Sequence, residues 1–241
     1  MGADQHLPSG GSDAGSVQLP RIVPSRPSRA ERGYIYRDAL RLLFILVAAS
    51  EPSDAGDPAF PRVFVGEKRL MAIDFLVRYP DYLADALLDF YEERRDDAAL
   101  AAACAILDSH EPEVRTVAMI RWHYGAFQNI ETALAVLDAR RLVRSMRRNL
   151  GSGTKRFEFM VGSGSEAFLA DAVASQPSLG WYAERTVLAM SVAWQRSGSD
   201  LKEAQYEYPE YRTTAYGAVI PSIKDRVLAR LRTIDGSHGE G

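Results

Sequence analysis

One cysteine among 241 residues excludes a disulfide framework. Cys104 lies in the apolar run ALAAACAIL and reads as a small core residue, so a reducing, cytoplasmic setting is expected. Long hydrophobic runs are absent too. The strongest, Leu42 to Ala49 (LLFILVAA), falls well short of the roughly 20 residues a membrane span needs. The start of the chain has no continuous apolar stretch of the kind an export signal carries. A formal charge of only -3 argues against wholesale coating of a nucleic acid, so any such contact has to be local.

Signatures of chemistry are equally scarce. GSGTKR holds glycine and lysine without the spacing of a phosphate-binding loop, and the Gly-x-Gly in VGSGSEAFLA has no surrounding βαβ unit. His110 and His123 stand apart from any spaced carboxylate or thiol set, which predicts no metal site. Ser163 and Ser165 have no evident histidine partner. Paired carboxylates in EERRDD and DYLADALLDF read as solvated helix faces. The expectation is a protein with no cofactor and no catalytic activity of its own.

What is present is helical periodicity. Residues 1–32, rich in Gly, Ser and Pro, are expected to form a disordered tail. Helical spacing then begins at GYIYRDALRLLFILVAAS, and FPRVFV offers a short strand. EKRLMAIDFLVRYP predicts a helix that Pro80 ends or bends, followed by DYLADALLDFYEERRDD with Asp81 as N-cap. AALAAACAILDSH, EPEVRTVAMIRWHYGAF and IETALAVLDARRLVRSM predict three more helices, the second with Pro112 near its first turn. WYAERTVLAMSVAWQRSG and IPSIKDRVLARLRTI supply the last two. YPDY at 79–82 is echoed by YPEY at 208–211, but the flanking residues do not align and the echo reads as coincidence.

The period changes once. After SMRRNL and the turn GSGT, Phe157, Phe159 and Val161 alternate with Arg156, Glu158 and Met160, the pattern of a half-buried strand. Helix, helix, hairpin from about 111 to 161 is the order of a winged helix-turn-helix, with Ile130–Val143 as its second helix and SMRRNL–KRFEFMV as its wing. The expected fold is mainly α, with winged helix-turn-helix unit(s), a small β-hairpin wing and additional helices. The expected division is a tail over 1–32, a helical domain over 33–107 open to a second winged-helix reading, a winged-helix domain over 108–175, a helical extension over 176–235 and a tail over 236–241.

The runs RLLFILVAASE and EKRLMAIDFLVRYPDYLADAL, with DARRLVRS, the glycine turn and RFEFMVGSGSEAFLADAV, resemble the middle components of bacterial ABC-ATPase three-component conflict systems. Tandem winged-helix partners of SMC-like ATPases look similar. The resemblance spans about 34–235 and rests on diffuse apolar patterns. It implies an adaptor beside a larger ATPase or effector protein in phage defence.

Seven cations and no acid before Glu158 mark the stretch Arg140–Val161. Arg140, Arg141 and Arg144 are expected to close the second helix. Arg147, Arg148, Lys155 and Arg156 flank the wing turn, where repulsion between the opposed strands favours a bound anion. Contact with the DNA backbone is the nucleic-acid reading. An acidic protein partner, complementation of the helix dipole and protection of a strand edge are the others. Base reading has few candidates, since the start of the second helix offers only Gln128 and Asn129 beside Glu131. Tyr206, Tyr208, Tyr211 and Arg212, in the aromatic stretch QYEYPEYRTTAY, are the candidates for docking a protein partner. The expected function is a non-catalytic winged-helix adaptor. The alternatives are a DNA-binding transcriptional regulator and an uncharacterised enzyme, the latter needing a cleft that brings carboxylates to His123.

Overall fold

The helix α1 (Arg29–Ala49) is buried at every residue from Arg41 to Leu46, so its apolar run needs neighbours on every side. They come from distant parts of the chain: α2 (Glu67–Arg78), α5 (Glu131–Ala139), α6 (Ser165–Ser175) and α7 (Gly180–Ala193). The computed structural model describes residues 29–108, 118–123, 125–151 and 155–238, with side chains from 33 to 234. Helix accounts for 63% of the described residues and strand for 14%, which makes the protein mainly helical with a small antiparallel sheet. The expected tail up to residue 28, His110, Pro112 and the turn residues 152–154 lie outside the described residues.

Between α2 and α5 the chain forms α3 (Pro80–Arg94), α4 (Asp97–Asp108) and a two-stranded hairpin, β3 (Ile120–Trp122) with β4 (Gly125–Phe127). Over 120–122 and 125–127 the hairpin corrects the helix expected for EPEVRTVAMIRWHYGAF, whose residues 111–117 lie outside the described residues. Met119 and Arg121 exchange backbone hydrogen bonds with the 217–220 segment, and Gly125 adopts φ 111°, a left-handed value that closes the turn. Those long-range bonds outweigh a local helix preference. A second correction concerns Asp81, which lies inside α3 instead of capping it. Its carboxylate accepts from Ser222 Oγ and Ile223 N, both at 2.6 Å, and so caps the start of α10 (Lys224–His238).

The main sheet has the order β1-β2-β6-β5, built from β1 (Glu51–Pro52), β2 (Arg62–Val65), β5 (Val143–Asn149) and β6 (Lys155–Val161). FPRVFV thus supplies a strand, and it pairs with β6, Phe64 opposite Phe159. That pairing crosses the boundary expected at 107/108, and one hydrophobic cluster runs from Ala39 to Ile234. Gly162, just after β6, is needed for close approach: a Cβ there would stand 2.2 Å from the Arg141 carbonyl oxygen.

The two Tyr-Pro echoes meet. Pro80 opens α3 and Pro209 opens α9 (Pro209–Thr213), each at a first helical turn where a missing N–H costs little. Tyr82 packs edge-on against Tyr208 at 4.9 Å, and Phe75 touches Tyr79, Tyr82 and Tyr211. The preceding helix, α8 (Gly198–Glu207), starts with a capping box in which Ser197 and Asp200 exchange hydrogen bonds.

A charged cluster sits inside this core. Asp74 is fully buried and accepts from Arg41 Nε at 2.5 Å and from Arg78 Nη1 at 3.2 Å. Arg41 also bonds Asp38 at 2.7 Å, and the Gln128 amide donates to Asp38 at 2.7 Å while accepting from Arg78 and Arg41. Burial pushes the Asp74 carboxyl up, but the charges and hydrogen bonds of the two arginines hold it below the usual carboxylate range. The network ties α1, α2 and the approach to α5 together.

Candidate nucleic-acid interface

The seven-residue strands of the β5–β6 hairpin pair from Val143 opposite Val161 to Asn149 opposite Lys155. The half-buried alternation expected of β6 holds only in part: Phe159 and Val161 are buried, but so are Glu158 and Met160 of the opposite face, while β5 is exposed at every residue after Val143. β5 is an edge strand of the sheet, and its arginines block pairing with another chain.

The cations do not all sit as expected. α5 stops at Ala139, so Arg140 caps it and Arg141 turns the chain at φ 57°, while Arg144 lies on β5 and not in the helix. Arg144 stacks over Phe60 at 4.1 Å and reaches Asp57 at 3.9 Å. Arg140 lies over the Tyr36 ring at 5.7 Å. Arg147 lies over Phe157 at 4.6 Å.

Arg148 and Arg156 face each other across the hairpin as their positions predict. The anion between them is the protein's own. Glu158 is 1% exposed and accepts from Arg148 Nε at 3.0 Å and from Arg156 Nε at 2.9 Å. Mutual repulsion is therefore relieved internally, and Arg140, Arg141, Arg147 and Lys155 remain exposed with no carboxylate bridge among the described residues. Glu158, the lone acid of the stretch, was the signal for this clamp in the sequence.

The base-edge candidates are committed elsewhere. Gln128 belongs to the buried charge network, and Asn129 accepts from Glu131 N at 2.9 Å at the start of α5. The exposed face of α5 carries Glu131 and Asp138, which repel a polyanion.

The aromatic candidates lie mostly inside. Tyr211 is fully buried, its phenol pushed up by burial and its hydroxyl without a hydrogen-bond partner. Tyr208 packs on Tyr82, and burial likewise raises its phenol. Tyr206 is half-buried and donates to the Trp122 carbonyl at 3.3 Å, leaving Arg212 exposed on α9. A ring of Tyr206, Tyr211 and Tyr216 surrounds the Arg121 guanidinium at 4.6–5.9 Å.

The chemistry-bearing candidates disperse. His123 stacks on Tyr216 at 4.2 Å on the surface, and Ser165 is buried, donating to the Leu142 carbonyl at 2.7 Å. A cavity of about 570 Å³ between α3, α8 and α10 is lined by Asp85, Asp89, Arg226 and Arg230. Arg230 pairs with Asp85, Asp89 and Glu92, and Arg226 with Asp85 and Glu210, so these charges hold α10 to α3. Among the described residues no group of three His, Cys, Asp or Glu is placed to hold a metal ion. No helix among them is long and apolar enough to cross a membrane. No protein-family model, curated protein or solved structure matched this chain.

Proposed function

We propose that this chain is a non-catalytic winged-helix adaptor that docks a larger ATPase or effector protein and touches the DNA backbone with its cationic hairpin. The winged-helix unit is α1, β2, α2, α5, β5 and β6, with residues 79–129 inserted between its second and third helices. The observation that carries this reading is the strand order β2-β6-β5. A winged helix pairs the strand after its first helix with the second strand of the wing, and α1 packs on both α2 and α5. The unit thus differs from the contiguous one expected over 108–175, because its first strand and first two helices come from before residue 79.

The adaptor role is preferred over a sequence-reading regulator because the α5 face is acidic and Gln128 is engaged. Arg140, Arg141, Arg147 and Lys155 supply phosphate contacts that position without reading bases. The ATPase partner and phage defence follow from the resemblance to three-component middle components, and the cytoplasmic setting from the lone cysteine, Cys104.

The test is anisotropy of fluorescent duplex DNA over a salt series from about 50 to 200 mM. Arg147→Glu/Lys155→Glu spares Arg148 and Arg156, which hold Glu158. The wild type is expected to bind with a steep salt dependence, and the folded variant to lose about two units of slope. A wild type that fails to bind, or a folded variant that binds unchanged, overturns the DNA contact.

A further inference from the structure

Beside the hairpin runs a groove of about 460 Å³ between α5, β5 and the start of α2. Leu134, Phe157 and Met146 give it an apolar lining, and Met146 is 43% exposed. Glu67, Glu131 and Asp138 form its rim against a single cation, Arg147. Glu131, Leu134, Ala135 and Asp138 fall on one face of α5 by their spacing, opposite the buried Ala133 and Leu137. A second, largely apolar cavity of about 260 Å³ shares Glu67, adds one cation, Lys68, and continues to Met71, Trp122 and Phe127, so the two together carry three carboxylates against two cations. Trp122 and Phe127 are 40% and 37% exposed, large apolar side chains at the far end of the same trough.

We infer that this trough docks a basic amphipathic helix of a partner protein. The inference rests on the adaptor reading for the existence of a partner, and it names where that partner sits. In a DNA-reading winged helix the outer face of the third helix enters the major groove, which requires polar or cationic side chains. Here that face carries two carboxylates around a leucine, and Glu67 adds a third. Such a surface repels phosphate and attracts lysine or arginine. The apolar lining takes side chains from one face of the bound helix, at i, i+3, i+4 and i+7, while its cations meet the acidic rim. Exposed Trp122 and Phe127 supply the aromatic anchors favoured at the centre of protein interfaces. The insertion between α2 and α5 therefore contributes its β3–β4 hairpin to the docking surface.

The probe is a fluorescein-labelled synthetic peptide with leucine at helical spacing and lysine elsewhere. Controls are a leucine/glutamate twin and a scrambled leucine/lysine peptide of the same composition. Anisotropy with the full chain is expected to show binding of the leucine/lysine helix only. Glu131→Lys/Asp138→Lys is expected to weaken it at least about fivefold. Glu166→Lys/Asp171→Lys, an equal charge change on α6, is expected to leave it unaltered, which separates docking from attraction to an acidic chain. Equal weakening by both double variants, equal binding of the scrambled peptide, or preference for the glutamate twin overturns the inference. DNA binding is read on the same variants. Peptide binding without DNA binding sinks the hairpin contact alone, and DNA binding without peptide binding sinks the groove alone.

Discussion

Two arginine clusters, one inside the protein and one on its hairpin, solve the same electrostatic problem differently. In the interior, Arg41 and Arg78 meet Asp38 and Asp74, two charges of each sign, and Gln128 fills the remaining hydrogen-bond positions. On the hairpin, the five cations Arg144, Arg147, Arg148, Lys155 and Arg156 meet Glu158 and the more distant Asp57. Solvation makes the difference. A buried charge without a partner costs several kcal/mol, so the interior must balance its charges locally. A surface charge is screened by water and salt, so the hairpin can hold surplus cations. That surplus is what a polyanion can use, while the balanced cluster fixes geometry.

The largest expected effect comes from unbalancing the interior. Asp74→Ala should destabilise the fold by about 3–5 kcal/mol in urea denaturation, because it leaves two buried arginines to share a single carboxylate, Asp38. The same carboxylate imposes an acid-side pH dependence. Its folded pKa lies below its unfolded value, so its contribution is fully present above the unfolded pKa near about 4. That contribution is lost as pH falls through the folded value. Wild-type stability should therefore fall on acidification below about pH 5 more steeply than that of Asp74→Asn, measured by urea midpoints at successive pH values. Parallel curves would show that the cluster is not coupled to protonation of Asp74.

An intermediate effect is expected on the hairpin clamp. Glu158→Gln should cost about 1–2 kcal/mol, less than the interior change because Arg148 and Arg156 are half-exposed. It should simultaneously tighten duplex DNA binding and steepen the salt slope by about one, since it releases cations the protein had neutralised. Lower stability with unchanged DNA affinity would mean that the clamped arginines never face phosphate. The smallest effect is assigned to Asp57→Ala. Its contact with Arg144 spans 3.9 Å between exposed side chains, and thermal denaturation should register under about 0.5 kcal/mol.

The difference between the clusters also explains what could be read in advance. The hairpin was legible because its alternation and cation density are properties of contiguous residues. The interior network was not, because Asp38, Arg41, Asp74, Arg78 and Gln128 come from three separated segments and each looks like ordinary helix-surface charge. Gln128 was read as a base-edge candidate for the same reason. Tyr206, Tyr208 and Tyr211 drew attention as an aromatic run, but a run does not reveal that Tyr211 is enclosed by Phe75 and Tyr206. The acidic groove escaped notice because Glu67 and Glu131 are 64 positions apart in the numbering.

By itself, the sequence determined the helical periods, the helix breaks at Tyr-Pro, the hairpin and its surplus of cations, since each depends on neighbours within a few residues. Tertiary structure alone decided that residues 120–122 and 125–127 form strands, because Met119 and Arg121 find partners near residue 218. It also decided that β2 joins β6 and that Glu158 clamps the hairpin. Long-range hydrogen bonds and buried charge pairs form only when distant segments meet, and no local pattern encodes the meeting.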